Sequence, residues 1–135
     1  VKFHSTLYGP FRVAADSAPK SKVALQDRAT YQLDPARPND AWLCAERDVR
    51  EGADLLMVKP GLPYLDLLRE LSREFRQPWA VYHTSGEFAA LEALTAQGLA
   101  PRAALHREIM TAFKRAGAST IITYGARFAR EWINS

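Results

Sequence analysis

The sequence predicts an α/β fold organised around a parallel β-sheet. Short apolar runs alternate with longer amphipathic stretches along its 135 residues, an order that is typical of successive βα units. Two segments, 50–54 and 115–119, share the pattern Arg-x-Gly-Ala, and each leads from an amphipathic stretch into an apolar run. Because glycine readily adopts the left-handed conformation that ends a helix, Gly52 and Gly117 are expected to mark two helix-to-strand turns.

The predicted elements follow in alternating order. Short apolar runs bounded by turn residues predict three strands and a candidate fourth, at 55–58, 79–82, 120–124 and 1–3 respectively. Apolar side chains recur at helical spacing in four stretches, which predicts helices around 42–49, 64–75, 88–94 and 105–116.

The stretch from Ser5 to about Asn39 differs from the rest of the chain. It is rich in Pro, Gly, Ala, Asp and Lys and shows no sustained period, which predicts a long loop. Loops of this length are uncommon inside compact domains and are usually functional lids or disordered segments. In a parallel α/β protein, a loop after the C-terminal end of a strand lies where active sites are built. We therefore expect residues 1–135 to belong to one domain, with an active-site lid at about 5–39.

Composition argues against several classes of function. The net charge is only +3 and basic residues alternate with acidic ones, so no nucleic-acid surface is predicted. No apolar run approaches the roughly 20 residues that span a bilayer, so no membrane partner is expected. Cys44 is the only cysteine, which excludes an intramolecular disulfide and suits a reducing compartment, with the cytoplasm as the expected location. No metal or other cofactor is assigned to the chain, because no metal-binding spacing includes His4, His83 or His106.

Two lysines stand where catalytic amines would be expected. Lys59 directly follows Leu-Leu-Met-Val and so lies at the C-terminal end of a predicted buried strand, while Lys2 lies at the end of the candidate fourth strand. Desolvation or a neighbouring cation lowers the pKa of a lysine and leaves a nucleophilic free amine, which suits carbonyl chemistry. The alternative is that Lys59 extends its ammonium group into water and that Lys2 is an ordinary exposed lysine.

Four further side chains are candidates for binding carboxylate groups. Arg12 and Arg28, in the predicted loop, carry guanidinium groups that pair with carboxylates through two hydrogen bonds. Ser85 and Tyr124 stand at the ends of two predicted strands and offer hydroxyl donors. Each residue also has a simpler interpretation: the arginines as surface charges, Ser85 as the cap of a helix over 86–97, and Tyr124 as an amphipathic ring.

Six motifs occur in order along nearly the whole chain. Two contain the lysines: Lys2-Phe3-x-Ser5-x-x-Tyr8-Gly9-Pro10-Phe11-Arg12 and Met57-Val58-Lys59-Pro60-Gly61-Leu62-Pro63-Tyr64-Leu65-Asp66. The other four are Asp27-Arg28-x-Thr30-Tyr31-Gln32, Tyr82-His83-x-Ser85-Gly86-Glu87-Phe88, Phe113-Lys114-Arg115-Ala116-Gly117-Ala118 and Ile121-Ile122-Thr123-Tyr124. Together they resemble the porphobilinogen synthase (5-aminolevulinate dehydratase) family.

The resemblance implies a TIM-like (β/α)8 barrel, of which this chain would be the C-terminal part. It implies a lyase of tetrapyrrole (heme) biosynthesis, usually a homo-octamer, that condenses two 5-aminolevulinate molecules to porphobilinogen with loss of two waters. By that likeness, Lys59 forms a Schiff base with the substrate that becomes the propionate side, and Lys2 holds the substrate that becomes the acetate and aminomethyl side. A protonated imine acidifies the adjacent carbon and so permits carbon–carbon bond formation.

The resemblance also assigns the substrate-binding residues. Arg12 and Arg28 match the pair that binds the carboxylate of the second substrate. The loop between them is longer than is usual in the family, so Arg28 matches the family pattern less closely than Arg12. Ser85 and Tyr124 match the hydroxyls that bind the carboxylate of the first substrate. Further residues match those that line the site: Tyr8, Phe11, Gln32 and Tyr82.

The chain departs from the family in its extent and at single positions. The upstream half of the family's barrel precedes the first lysine motif and contains the cysteines that bind zinc where zinc is used, so any zinc is expected outside this chain. Cys44 replaces a magnesium-binding glutamate of some bacterial members, so no such site is expected, and Gly125 replaces a common aromatic residue. Because a few strands cannot close an eight-stranded barrel, we expect the chain alone to be inactive.

Two other functions are compatible with these residues. One is a non-catalytic fragment or assembly module that keeps the fold without the reaction, and the other is a different Schiff-base aldolase on the same barrel. Paired lysines with two separate sets of carboxylate-binding residues favour the synthase over an aldolase that uses one lysine.

Overall fold

Strands and helices alternate in the part of the chain that the structure describes, which is residues 1–8 and 31–134 of a computed structural model. The helices are α1 at Pro38–Arg50, α2 at Leu65–Glu74, α3 at Ser85–Ala96, α4 at Arg102–Ala116 and α5 at Ala129–Asn134. The strands are β1 at Leu56–Val58, β2 at Trp79–His83 and β3 at Thr120–Thr123. Short 3-10 turns lie at Thr6–Tyr8, Leu62–Tyr64 and Ala126–Phe128. The three main predicted strands and the four predicted helices are thus confirmed, whereas α5 was not predicted.

The strands form one parallel sheet in the order β1, β2, β3. Val58 of β1 is in register with Val81 of β2, which is in register with Ile121 of β3. Helices connect consecutive strands and return the chain to the same end of the sheet, as parallel pairing requires. The C-terminal ends of all three strands therefore lie on one side of the sheet, hereafter the C-terminal edge. The residues that follow the strands there are Lys59, Thr84 and Tyr124.

The first residues lie beside β1 without forming a regular strand. Lys2 makes an isolated parallel bridge with Lys59, and Phe3 makes another with Leu33. The prediction of a fourth strand at 1–3 is therefore wrong in its extent, because the segment is paired at single positions on each side. Its place next to β1 nevertheless brings Lys2 to the edge where β1 ends.

The hydrophobic core lies between the sheet and helices α2 and α4. Leu67, Leu68 and Leu71 form the buried stripe of α2, and Phe113 of α4 is fully buried. These side chains belong to one cluster with Val81 of the central strand. Because burial of such a side chain contributes about 1.5–3 kcal/mol, this packing holds the helices on the sheet and fixes the edge where the strands end.

Both glycines that were predicted to mark helix-to-strand turns have positive φ angles. The φ angles are +93° at Gly52 and +114° at Gly117. They differ in their surroundings: a Cβ on Gly117 would lie 2.1 Å from Ser72 Oγ, whereas a Cβ on Gly52 would meet no atom within 4 Å. Gly117 is therefore required both by backbone conformation and by space.

The prediction that Ser85 caps the helix after β2 is wrong. Thr84 is the N-cap of α3, Ser85 is the first helical residue, and Thr84 and Glu87 form a capping box. In such a box the two residues, three apart, satisfy each other's free backbone N–H groups. The sequence Thr84-x-x-Glu87 carries the required residue types, whereas Ser85 has Phe88 at that spacing.

Residues 9–30 of the predicted loop lie outside the described residues, and with them Arg12, Arg28 and Phe11. At its far end the predicted loop meets α1, which begins at Pro38, within one residue of the expected bound. Proline is favourable in the first turn of a helix, where its missing N–H group leaves no bond unmade. Cys44 lies on α1 and is half-buried.

Candidate active site

Lys2 and Lys59 lie side by side at the C-terminal edge of the sheet. The Phe3 N–H donates to the Lys59 carbonyl oxygen over 3.0 Å, and the Lys59 N–H donates to the Val1 carbonyl oxygen over 3.1 Å. The centroid of the Tyr8 ring is 5.8 Å from Lys2 Nζ and 5.4 Å from Lys59 Nζ. The two amines that the sequence singled out are therefore brought together around one aromatic ring.

Aromatic rings lie next to both ammonium groups. The Tyr82 ring centroid is 4.0 Å from Lys59 Nζ, and the Tyr31 ring centroid is 5.5 Å from Lys2 Nζ. The Tyr8 hydroxyl donates over 2.8 Å to the backbone carbonyl of the residue after Lys2, which fixes its ring between the lysines. A cation over a ring face is attracted by the ring quadrupole, by about 0.5–1 kcal/mol at exposed sites and by more where water is excluded.

The environment of Lys59 favours its neutral, nucleophilic form. Burial has the largest effect and lowers the pKa of the Lys59 amine below its ordinary value. The Tyr82 phenol opposes this shift, while the positive charge of Lys2 adds to it. Desolvation and a neighbouring like charge are the two ways in which proteins activate lysines for attack on carbonyl groups.

Tyr124 reaches the Lys59 region through Tyr82. The hydroxyl oxygens of Tyr82 and Tyr124 are 3.3 Å apart, and their ring centroids are 6.4 Å apart. The hydrogen bond to Tyr82, together with burial, raises the pKa of Tyr124 to about 12. Tyr124 therefore keeps its phenol proton at neutral pH, and a protonated phenol can donate to a carboxylate.

Two buried polar side chains lie on segments next to the lysines. The Ser85 hydroxyl donates to the Tyr8 carbonyl oxygen over 3.1 Å, so donation to a carboxylate would require that proton to turn away from Tyr8. Gln32 is 6% exposed, and neither its amide nitrogen nor its amide oxygen has a hydrogen-bond partner among residues 1–8 and 31–134. Because unpaired buried polar groups are rare and costly, Gln32 is a candidate for hydrogen bonds to a ligand.

Sequence reasoning missed two residues at this edge. Tyr31 lies beside Lys2, and its only signal was its place next to Gln32 in a family motif. Glu87 is buried, and its carboxylate accepts hydrogen bonds from backbone N–H groups of Gly61 and Thr84. The spacing of Thr84 and Glu87 could have predicted the second bond, but nothing in the sequence predicted the first.

Among residues 1–8 and 31–134, no group of three or more His, Cys, Asp or Glu side chains is arranged to hold a metal ion. The described residues therefore do not fit a zinc site of the kind that the resemblance places upstream. None of the helices in the same ranges is long and apolar enough to cross a membrane.

Comparison with known proteins relates this site to one family. The family model for delta-aminolevulinic acid dehydratase matches residues 1–132. The delta-aminolevulinic acid dehydratases of Bos taurus and Bacillus subtilis are 51% and 45% identical over 133 residues, which is 98% of this chain and 39% and 40% of theirs. The same enzyme from Toxoplasma gondii ME49, solved with its reaction product porphobilinogen, has a TM-score of 0.88 at 44% identity, over 97% of this chain and 36% of that chain.

The likeness covers almost all of this chain and about two fifths of its relatives. The parallel sheet and its helices correspond to the C-terminal part of a TIM barrel, which confirms the predicted fold class. Sequence motifs, family model and three-dimensional likeness agree over the same residues, and the chain belongs to the delta-aminolevulinic acid dehydratase family.

Proposed function

We propose that this chain supplies the two Schiff-base lysines of a porphobilinogen synthase, which condenses two 5-aminolevulinate molecules to porphobilinogen and two waters. The observation that supports the proposal most directly is the pairing of Lys2 with Lys59 around the Tyr8 ring, with the pKa of Lys59 lowered by burial. The chain spans about 40% of the length of its relatives, so the activity is proposed for a polypeptide that also contains the upstream part.

Each lysine has a defined task in this proposal. The neutral amine of Lys59 attacks the ketone carbon of one substrate and releases water, which leaves an imine. Once protonated, that imine withdraws electrons from the adjacent carbon, which can then lose a proton and form a carbon–carbon bond. Lys2 binds the ketone of the second substrate in the same way, and two amines on neighbouring backbone segments hold the reactants in a fixed relative orientation.

Hydroxyl groups and arginines would bind the substrate carboxylates. Ser85 and Tyr124 are assigned to the carboxylate of the first substrate, an assignment supported by the contact of Tyr124 with Tyr82 beside Lys59. Arg12 and Arg28 are assigned to the carboxylate of the second substrate by family resemblance. The proposed lining residues are Tyr8, Phe11, Gln32 and Tyr82.

The remaining proposals concern the whole protein. Residues 1–135 would form the C-terminal portion of one barrel domain, with a lid at about 5–39, in a homo-oligomer that is an octamer in the family. We place the enzyme in heme biosynthesis in the cytoplasm; one relative, from Chlamydomonas reinhardtii, is described as chloroplastic. Any zinc would be held by upstream cysteines, so no step proposed for this chain passes through a metal.

The decisive experiment uses a chimera, hereafter the reference chimera, in which residues 1–135 replace the matching segment of the Bacillus subtilis relative. It should form porphobilinogen in a colorimetric assay, and borohydride reduction with 5-aminolevulinate should label Lys59, as seen by peptide mass mapping. Lys59→Met should abolish both signals, while Lys114→Met, the same change on α4, should leave both intact. A folded reference chimera that forms no product, or is labelled only at unrelated lysines, would refute the proposal.

A further inference from the structure

We propose that Glu87 is a positioning residue for Lys59, which it holds in place through the backbone turn at 60–62. The inference rests on the proposed function, because it concerns the placement of an amine that was assigned there. Glu87 itself contacts the turn that follows Lys59 and is assigned no direct contact with substrate.

The Glu87 carboxylate is bonded on both oxygens, and the residue is only 1% exposed. Oε1 accepts from the Gly61 N–H over 3.0 Å and from the Leu62 N–H over 2.5 Å, while Oε2 accepts from the Thr84 N–H over 2.6 Å. A buried carboxylate is costly unless hydrogen bonds compensate for its lost hydration. Here two separate backbone segments supply the donors, so one side chain joins the turn after Lys59 to the turn after β2.

Helix capping explains only one part of this arrangement. A capping box requires the glutamate to accept from the N-cap N–H, and the bond from Thr84 meets that requirement. The bonds from Gly61 and Leu62 instead come from residues 26 and 25 positions away. Glu87 therefore caps α3 and also binds the turn that follows Lys59.

The turn after Lys59 is also held from the side of the core. A Cβ on Gly61 would lie 2.6 Å from the Phe113 ring and 2.7 Å from Val81, so the backbone rests directly on these side chains. Core packing and the two bonds to Glu87 therefore restrain the same turn. Lys59 directly precedes this turn, and its Nζ lies 4.0 Å from the Tyr82 ring centroid. A shift of the turn would therefore move the amine away from its proposed reacting position.

The segment that follows Lys2 is attached to the same first turn of α3, but through other side chains. Thr84 Oγ lies 2.8 Å from the Leu7 carbonyl oxygen, and Ser85 Oγ donates to the Tyr8 carbonyl oxygen over 3.1 Å. Thr84 Oγ is also 2.7 Å from Oε2 of Glu87, and its single proton can serve only one of these two oxygens. Loss of the Glu87 carboxylate should therefore disturb Lys59 more than Lys2.

The test compares two glutamates of α3 in the reference chimera. Glu87→Ala removes the acceptors of both backbone turns, and Glu87→Asp keeps the charge but withdraws the carboxylate from Gly61 and Leu62. Glu92→Ala is the matched control, because Glu92 lies on the same helix and is bonded to His106 and Arg102. For each protein we would measure thermal stability, kcat and KM for 5-aminolevulinate, and the ratio of Lys59 to Lys2 labelling after borohydride reduction.

Because small misplacements of reacting groups are costly, both Glu87 variants should lower kcat by about ten- to a hundredfold, with KM changed less than about threefold. The Lys59 to Lys2 labelling ratio should fall with kcat, whereas Glu92→Ala should lose stability at an unchanged ratio. An unchanged ratio in either folded Glu87 variant would overturn the inference, and Glu87→Asp decides the matter if Glu87→Ala does not fold. A reference chimera labelled at neither lysine would instead refute the proposed function.

Discussion

The reactivity proposed for Lys59 depends on influences that act in opposite directions. Burial and the positive charge of Lys2 favour the free amine, whereas the Tyr82 ring, 4.0 Å from Nζ, favours the ammonium form. Burial has the largest effect, so the pKa is lowered overall. A substitution of Lys2 leaves Tyr82 in place, so the effect of the Lys2 charge on the pKa of Lys59 can be measured separately.

Lys2→Gln is predicted to raise the pKa of Lys59, because it removes a neighbouring positive charge. Only the neutral amine attacks a ketone, so imine formation at Lys59 should begin at higher pH in the variant than in the reference chimera. Borohydride labelling of Lys59 as a function of pH measures this change. Lys114→Gln, the same substitution on α4, should leave the profile unchanged, and a profile for Lys2→Gln at equal or lower pH would contradict the prediction.

Tyr124→Phe is predicted to weaken binding of the first substrate. Loss of a hydroxyl that donates to a carboxylate costs about 1.5–3 kcal/mol, which corresponds to an increase in KM of about tenfold or more. Tyr31→Phe is the control, because it removes a phenol oxygen from a ring beside Lys2 while the ring stays in place. Steady-state kinetics of the two variants should differ, and equal KM values would remove Tyr124 from the carboxylate site.

At the scale of whole elements, the sequence predicted the strands and helices that have a clear local pattern. The runs at 79–82 and 120–124 matched β2 and β3 to within one residue, because a short apolar run between turn residues favours a strand. Helix α5 was missed because its six residues are too few to display a helical period. It is held by tertiary packing: the Trp132 ring is stacked on the buried His106 ring at 4.1 Å.

In the candidate site, too, local pattern predicted single residues but not the contacts between distant parts of the chain. Lys59 and Tyr124 could be predicted because a strand end fixes the position of the next residue, and the family motifs added Tyr8 and Tyr82. The bonds from Glu87 to the turn after β1 could not be predicted, because they join residues that only the folded sheet brings together. Contacts of high sequence separation leave no periodic signal in a single sequence.

The two glycine turns lead to a prediction about stability. Gly52→Ala and Gly117→Ala both place a side chain at a positive φ, which costs about 1 kcal/mol. Only the Gly117 variant also forces its Cβ against Ser72, and such overpacking adds about 1–3 kcal/mol. Denaturant unfolding of the reference chimera and both variants should therefore show the larger loss for Gly117→Ala. Equal losses would mean that Ser72 moves aside at no cost.

At the scale of the whole molecule, the described sheet is open at β3. This strand pairs with β2 on one side, and no strand within residues 1–8 or 31–134 pairs with its other side. Ile122 on β3 is 38% exposed. An apolar groove of about 440 Å³ lies between α4, β3 and α5, lined in part by Ile121, Trp132 and Ile133. In a closed barrel the edge strand is paired with a further strand.

Because β3 has an unpaired side, we predict that residues 1–135 alone form no porphobilinogen at a useful rate, although they contain both lysines. An unpaired parallel edge and an uncovered apolar groove favour self-association or partial unfolding. Water would also enter the site from the open side, and the desolvation that lowers the pKa of Lys59 would weaken. The comparison is a colorimetric assay of the chain alone, of the reference chimera, and of the chain mixed with the upstream part of the Bacillus subtilis relative. We expect activity from the chimera, partial recovery from the mixture and none from the chain alone; full activity from the purified chain would show that closure of the barrel is dispensable.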